Sequence, residues 1–156
     1  MEYQIIKNPI FLNKYFDSDI SDYLFNKLIK LNFGNGIKTR FGGFTRKAIA
    51  INETDEIFYE ITDFIYPLLT NYKVGNLIGY YINYYENGEC YTPQHIHKDT
   101  NQLVVSLGDT RTLNVEGKNY KMSHGDVIIF GNQKHGVPKE KNNKERGRIS
   151  IATFCL

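Results

Sequence analysis

The sequence predicts an α+β chain whose C-terminal half is an antiparallel sandwich or jelly roll, with two helices nearer the N-terminus covering one sheet from outside. Three observations predict it. Apolar residues recur at helical spacing in two stretches before Gly75. After Gly75 the texture changes to short runs rich in Tyr, Ile and Val. Gly, Asn and Asp punctuate those runs, as turns between strands require.

Taken in order, residues 3–12 (YQIIKNPIFL) read as an extended opening segment. Ser18 or Ser21 can N-cap an amphipathic helix carrying Tyr23, Leu24, Leu28 and Leu31, which Gly34 would stop. A loop follows, GNGIKTRFGGFTRK, and then the apolar run AIAI at 48–51. A second helix is predicted from about Asp55 to Tyr72, with Ile57, Ile61, Phe64, Ile65 and Leu68 on one face. Beyond it, NLIGYYINYYE, LVVSLG, TRTLNV, DVIIFG and RISIATF are strand-like. Between them His124-Gly125-Asp126 reads as a tight turn in which Gly125 supplies the awkward backbone angles.

At 156 residues, with neither repeat nor linker, the chain is expected to be a single domain over 1–156. Its 41% hydrophobic and 14% aromatic content is that of a globular protein. A net charge of +2 excludes a nucleic-acid clamp driven by net charge, though not a local basic patch. Two cysteines, Cys90 and Cys155, are too few and too far apart for a disulfide framework or a zinc ribbon, which points to a reducing compartment. The N-terminus lacks the pattern of a secretory signal, and no run approaches the ~18 apolar residues of a membrane-spanning helix. The expectation is a soluble monomer without an obligate protein partner or membrane, cytoplasmic, or nuclear in a eukaryotic or viral setting.

The chemistry concentrates in the β-rich half, which holds His95, His97, His124 and His135. His97 and Asp99 form an H-x-D pair, and in a strand or at its edge such residues point the same way. A third ligand must come from another strand, and His135 follows DVIIFGNQK. Two imidazoles and a carboxylate on one face of Fe(II) leave the opposite positions open for an oxidant and a chelating co-substrate. An isolated H-x-D is more often a surface His beside a solvated Asp. Here it gains weight from Arg148, which opens the apolar strand ISIATF and offers the paired donors that a dicarboxylate requires.

In this order the motifs resemble the AlkB family of Fe(II)/2-oxoglutarate dioxygenases. The matching stretches are Asn83-Tyr84-Tyr85-Glu86-Asn87-Gly88, His97-Lys98-Asp99, Ser106-Leu107-Gly108, His124-Gly125-Asp126-Val127, His135, and Arg148 through Phe154. Thr45-Arg46-Lys47-Ala48 is an earlier, weaker match. The resemblance implies a double-stranded β-helix (jelly roll) with both helices packed on one sheet. It implies Fe(II) held by His97, Asp99 and His135, the catalytic constellation, and 2-oxoglutarate bound by Arg148 with Asn83 and Tyr85. Ascorbate would serve as reductant in vitro.

Two departures stand out. Where the family places a second arginine after the final Phe, this chain has Cys155, so Arg146 or Arg111 would have to compensate. The stretch from Tyr85 to His97 is also longer than usual, and His95-x-His97 is itself a plausible ligand pair. His95 could therefore compete for the metal, with Asp99 favouring His97.

The family's activity is oxidative demethylation of N-methylated nucleic-acid bases, releasing formaldehyde. The loop from Ile37 to Lys47 joins cations to aromatics with no acid. Its Arg40, Phe41, Phe44, Arg46 and Lys47 are candidates for gripping methylated single-stranded DNA or RNA. The basic stretch from Lys134 to Arg146 is diluted by Glu140 and Glu145 and is expected to be solvated. Little sequence is left for the nucleotide-gripping lid of the repair members. A hydroxylase of a protein side chain or small molecule would use the same iron site, and a jelly-roll binding module would use none.

Overall fold

The structure is a computed structural model that describes residues 3–34, 36–38, 44–141 and 146–156, apart from the side chains of Lys38 and Phe44. Its elements run β1 (Ile10–Leu12), α1 (Ser18–Leu28), β2 (Ile37–Lys38), β3 (Phe44–Ile51), α2 (Glu56–Asn71), β4 (Leu77–Tyr85), β5 (Thr92–His95) and β6 (Asn101–Gly108). They continue with β7 (Arg111–Val115), β8 (Lys118–Met122), β9 (Val127–Phe130), β10 (His135–Val137) and β11 (Arg148–Cys155).

Both helices form where their sequences favour it. Asp17, rather than Ser18 or Ser21, caps α1: its carboxylate accepts the Ile20 N–H at 2.9 Å. Ser21 is instead buried within the helix, and its hydroxyl donates to the Phe16 carbonyl at 3.3 Å. The helix ends at Leu28, before Gly34, and Leu31 and Phe33 reach the core from irregular backbone. Helix α2 buries Ile61, Ile65, Leu68 and Leu69, the stripe predicted from helical spacing together with Leu69. No helix among the described residues is long and apolar enough to cross a membrane.

The strands form a seven-stranded sheet in the order β1-β9-β6-β11-β4-β3-β2 and a four-stranded sheet in the order β5-β10-β7-β8. Every pairing is antiparallel. From β4 onward the chain passes back and forth between the two sheets, which is the winding of a jelly roll. The predicted architecture is therefore the observed one. Of the strands absent from the sequence reading, β5 (TPQH), β8 (KNYKM) and β10 (HGV) are short or polar and belong to the smaller sheet, and β2 (IK), read as part of a loop, edges the larger one.

Two cores result, one on each face of the large sheet. Leu24, Phe25, Leu28, Ile61, Ile65 and Leu68 from the helices pack on Ile82, Leu103, Val105, Leu107, Ile149 and Ile151. Between the sheets a smaller cluster joins Tyr85, Val104, Leu113, Val115, Met122, Ile128, Phe130 and Val137. The period-two alternation of strands divides these sets, since neighbours along β6 or β11 face opposite ways. The helices fill one face of the large sheet, which leaves its other face open to a site between the sheets.

Candidate metal centre and anion pocket

A cavity of about 440 Å³ opens between the sheets. Its wall from the large sheet is set by parity. β4 contributes Tyr81, Asn83 and Tyr85, and β11 contributes Arg148, Ser150, Ala152 and Phe154. The register pairs Arg148 with Tyr85 and Ser150 with Asn83, so these residues sit side by side. From the small sheet come Thr92, His95, His135 and Val137, with His97 just beyond β5. No Asp or Glu lies among the described lining residues.

At one end are three imidazoles. His95, His97 and His135 each offer a ring nitrogen within 4.8 Å of the others. His95 and His135 face one another across β5 and β10, with ring centroids 4.2 Å apart. Gly136 permits this approach, because a Cβ there would meet the Thr92 carbonyl at 2.8 Å. The His95 Nδ1 lies 2.8 Å from the Pro93 carbonyl, and the His135 Nδ1 lies 2.9 Å from the Gln133 carbonyl. A carbonyl only accepts, so both Nδ1 atoms carry the hydrogen and both Nε2 lone pairs are free. Such backbone ties orient metal-binding imidazoles. Burial holds His135 down to about 4, and burial with the neighbouring His95 lowers His97, so both rings are neutral near pH 7. Phe154 and Phe130 wall the cluster, 5.2 Å from His97 and 4.7 Å from His135 by ring centroids.

The expected ligands thus divide. His97 and His135 come together, and Asp99 does not join them: it lies exposed in the turn after β5, with φ of 62°. His95 takes the third place in the cluster. The H-x-H spacing was the signal for it.

Arg148 forms the charged wall. It is 1% exposed, and its Nε donates to the Ser106 hydroxyl at 2.9 Å. Its Nη2 is buried without a hydrogen-bond partner. Burial lowers its pKa to about 10, which still leaves the guanidinium charged at neutral pH. The Tyr85 ring lies 5.2 Å from it, and the Tyr85 hydroxyl bridges to the Thr92 hydroxyl at 2.6 Å, linking the two sheets. Beside them, the Asn83 side-chain oxygen accepts from Arg46 Nε at 2.7 Å, and its amide donates to the Ser150 hydroxyl at 3.2 Å. Ser150 and Phe154 went unnoticed in the sequence as site residues, although counting by twos from Arg148 finds both.

The structure also resolves the arginine question. Cys155 lies on the opposite face of β11 from Arg148, packed in the helix-side core. A side chain there points away from the cavity. Arg146 pairs with Asp22 at 3.8 Å and lies over Phe25, outside the cavity. Arg111 is buried behind Tyr85, 5.2 Å from its ring, where it donates to the carbonyls of Asn87, Cys90 and Pro138. Neither takes the second arginine's place on the cavity wall.

Of the proposed nucleic-acid contacts, Arg40 and Phe41 lie outside the described residues, as does the side chain of Phe44. Arg46 lines the cavity. Lys47, its neighbour on β3, points the other way and pairs with Glu86 at 2.9 Å. His124 is structural, as the turn suggested. Its Nδ1 accepts the Gly108 N–H at 2.8 Å, and its Nε2 donates to Asp22 at 2.8 Å. Gly125 beside it has φ of 93°.

Compared with protein-family models and with curated proteins, the sequence finds no match. Compared with solved structures, the fold finds many. A prolyl-4-hydroxylase from Pseudomonas putida matches with a TM-score of 0.65 at 14% identity, over 94% of this chain and 90% of that one. A prolyl hydroxylase from Trichoplax adhaerens, in complex with a hypoxia inducible factor oxygen degradation domain peptide, matches at 0.67 and 12%, over 94% and 82%. HygX from Streptomyces hygroscopicus, with nickel and 2-oxoglutarate bound, matches at 0.63 and 10%, again over 94% and 82%. The likeness embraces nearly the whole chain and establishes a fold shared with these hydroxylases and with HygX, without selecting the AlkB family among proteins that have it.

Proposed function

We propose that this protein is an Fe(II)- and 2-oxoglutarate-dependent oxygenase that hydroxylates a protein side chain or a small molecule. The net reaction is R–H + O2 + 2-oxoglutarate → R–OH + succinate + CO2. The observation that carries the proposal is Arg148, a fully buried guanidinium on the wall of the cavity that also holds the histidine cluster, with one nitrogen unsatisfied. A buried charge of this kind is costly unless an anion meets it. A dicarboxylate with a 2-oxo acid at its far end suits both ends of the cavity, with one carboxylate on Arg148 and the chelating end at the imidazoles.

Iron(II), when bound, supplies the activation of O2. The chain's own residues do the rest. Arg148 and the Tyr85 beside it hold the distal carboxylate, and Ser106 keeps the guanidinium in place. Asn83, tied to Arg46 and Ser150, keeps that wall rigid. Phe154 and Phe130 keep water from the imidazoles. The neighbours support the choice of substrate class: one is complexed with a peptide, and HygX is also known with hygromycin B bound. Demethylation of single-stranded DNA or RNA is the second candidate. Its support in the described residues is Arg46 on the cavity wall.

The test is succinate formation with Fe(II), ascorbate and 2-oxoglutarate, with Arg148→Met as control. Turnover stimulated by peptide or small-molecule candidates supports the hydroxylase. Stimulation and formaldehyde release confined to a methylated oligonucleotide would move the substrate to nucleic acid. Failure of 2-oxoglutarate to bind the iron-loaded protein would sink the oxygenase.

A further inference from the structure

We infer that the metal ligands are three imidazoles, those of His95, His97 and His135, and that Asp99 stands outside the coordination sphere. The inference rests on the metal site proposed above and departs from the two-histidine, one-carboxylate set that the sequence resemblance implied.

The register of the small sheet carries it. His95 is the direct cross-strand partner of His135, and such partners place their Cβ atoms about 4.5–5.5 Å apart. His97 follows at the spacing that returns a side chain to the same face. The chain then leaves β5 and turns. Asp99 takes left-handed backbone angles in that turn, with φ of 62°, and the Thr100 hydroxyl closes the turn onto the His97 carbonyl at 3.5 Å. Moving the Asp99 carboxylate to the cluster requires unwinding this turn just before β6 begins. No such change is needed for His95, which already offers a ring nitrogen to the cluster and whose Nδ1 bond to the Pro93 carbonyl leaves Nε2 to bind a metal. Three nitrogens bound at ~2.1 Å to one ion lie about 3–3.5 Å from one another. Modest ring rotations reach that from the 4.8 Å observed.

The chemical consequence is charge. A carboxylate ligand would reduce a divalent ion to a net +1, whereas three neutral imidazoles leave it at +2. The described cavity lining holds no acid to offset that charge, and Arg148 adds to it. The centre therefore draws its compensation from exogenous anions, and a dicarboxylate co-substrate meets both positive ends. An all-nitrogen site also follows the usual divalent order strongly, favouring Cu(II) and Zn(II) over Fe(II) when those ions are present.

The experiment uses the full chain loaded with Cu(II) as a probe. Pulsed EPR counts the coordinated imidazoles, and competition with a chromophoric chelator measures affinity for wild type, His95→Ala and Asp99→Asn. Three imidazoles are expected in wild type and in Asp99→Asn, with Asp99→Asn keeping its affinity within about threefold. His95→Ala should show two imidazoles and bind about a hundredfold more weakly, at least the loss seen when a ligand's supporting partner is removed. Two imidazoles in wild type, or a loss confined to Asp99→Asn, would overturn the assignment. The wild-type count decides the matter even if His95→Ala fails to fold. Three imidazoles without succinate formation would uphold this ligand set while removing the oxygenase, and no Cu(II) binding at all would remove both.

Discussion

The two faces of strand β11 are built from alternate residues of one short segment, and they do opposite things. Ile149, Ile151, Thr153 and Cys155 turn toward the helices, and all are buried. Arg148, Ser150, Ala152 and Phe154 turn toward the cavity, where one is a buried charge with an unsatisfied nitrogen. Backbone hydrogen bonds to β4 and β6 are common to both faces. The helix face contributes stability through apolar burial, ~1.5–3 kcal/mol for each large aliphatic side chain. On the cavity face the buried Arg148 guanidinium, with one nitrogen unpaired, carries a cost that an anion would offset. Core-facing and cavity-facing positions alternate along this strand, residue by residue.

The sharpest way to break that separation is to cut into both faces and compare. Ile151→Ala is expected to lower the unfolding free energy by ~2–5 kcal/mol, read from urea denaturation, while the folded fraction still binds 2-oxoglutarate normally. Arg148→Met should do the reverse. Affinity for 2-oxoglutarate in the metal-loaded protein falls about a hundredfold, the worth of a charge-assisted hydrogen bond of ~1.5–3 kcal/mol. Its unfolding midpoint stays level or rises, since an uncompensated buried charge has been removed. A destabilisation as large as that of Ile151→Ala would show that Arg148 is structural and that the two faces are not distinct.

Smaller effects sharpen the boundary. Tyr85→Phe removes the hydroxyl bridge to Thr92 between the sheets and should cost ~1 kcal/mol in thermal or urea unfolding. Its effect on 2-oxoglutarate affinity should stay below that of Arg148→Met, and an equal loss would place the hydroxyl itself on the co-substrate. Burial pushes the Cys155 thiol up to about 12, so almost no thiolate forms at pH 8. Iodoacetamide followed by intact mass should leave Cys155 unmodified until denaturant is added. Labelling of Cys155 in the native protein would mean that β11 does not turn this side chain into the helix-side core.

Much of this was legible in advance, for physical reasons. Helix α2 and strands β4, β6 and β11 are long enough for a pattern to show, and β9 stands out as the unbroken apolar run VIIF. Asn83, Tyr85 and Arg148 were identified as one group, and the structure places all three on one cavity wall. Less was visible around the histidines. β5 and β10 are only four and three residues long, and neither has an apolar pattern. Their pairing is a nonlocal event, and it decides which histidine meets His135. The cap of α1 was misplaced from Asp17 to a serine because several neighbouring residues can cap equally well on paper.

By itself the sequence determined the class of fold, the position of the helices, and the presence of histidines and an arginine suited to a metal and a dicarboxylate. These follow from local rules: side-chain period, turn chemistry and the intrinsic character of each group. Only the tertiary structure decided that Cys155 faces the core, that Lys47 faces away from the cavity, and that His95 rather than Asp99 joins the cluster. Each of those outcomes depends on strand register and on where a strand ends. A shift of one residue would exchange every side chain between the two faces, and the pairing that prevents it comes from residues far apart in the chain.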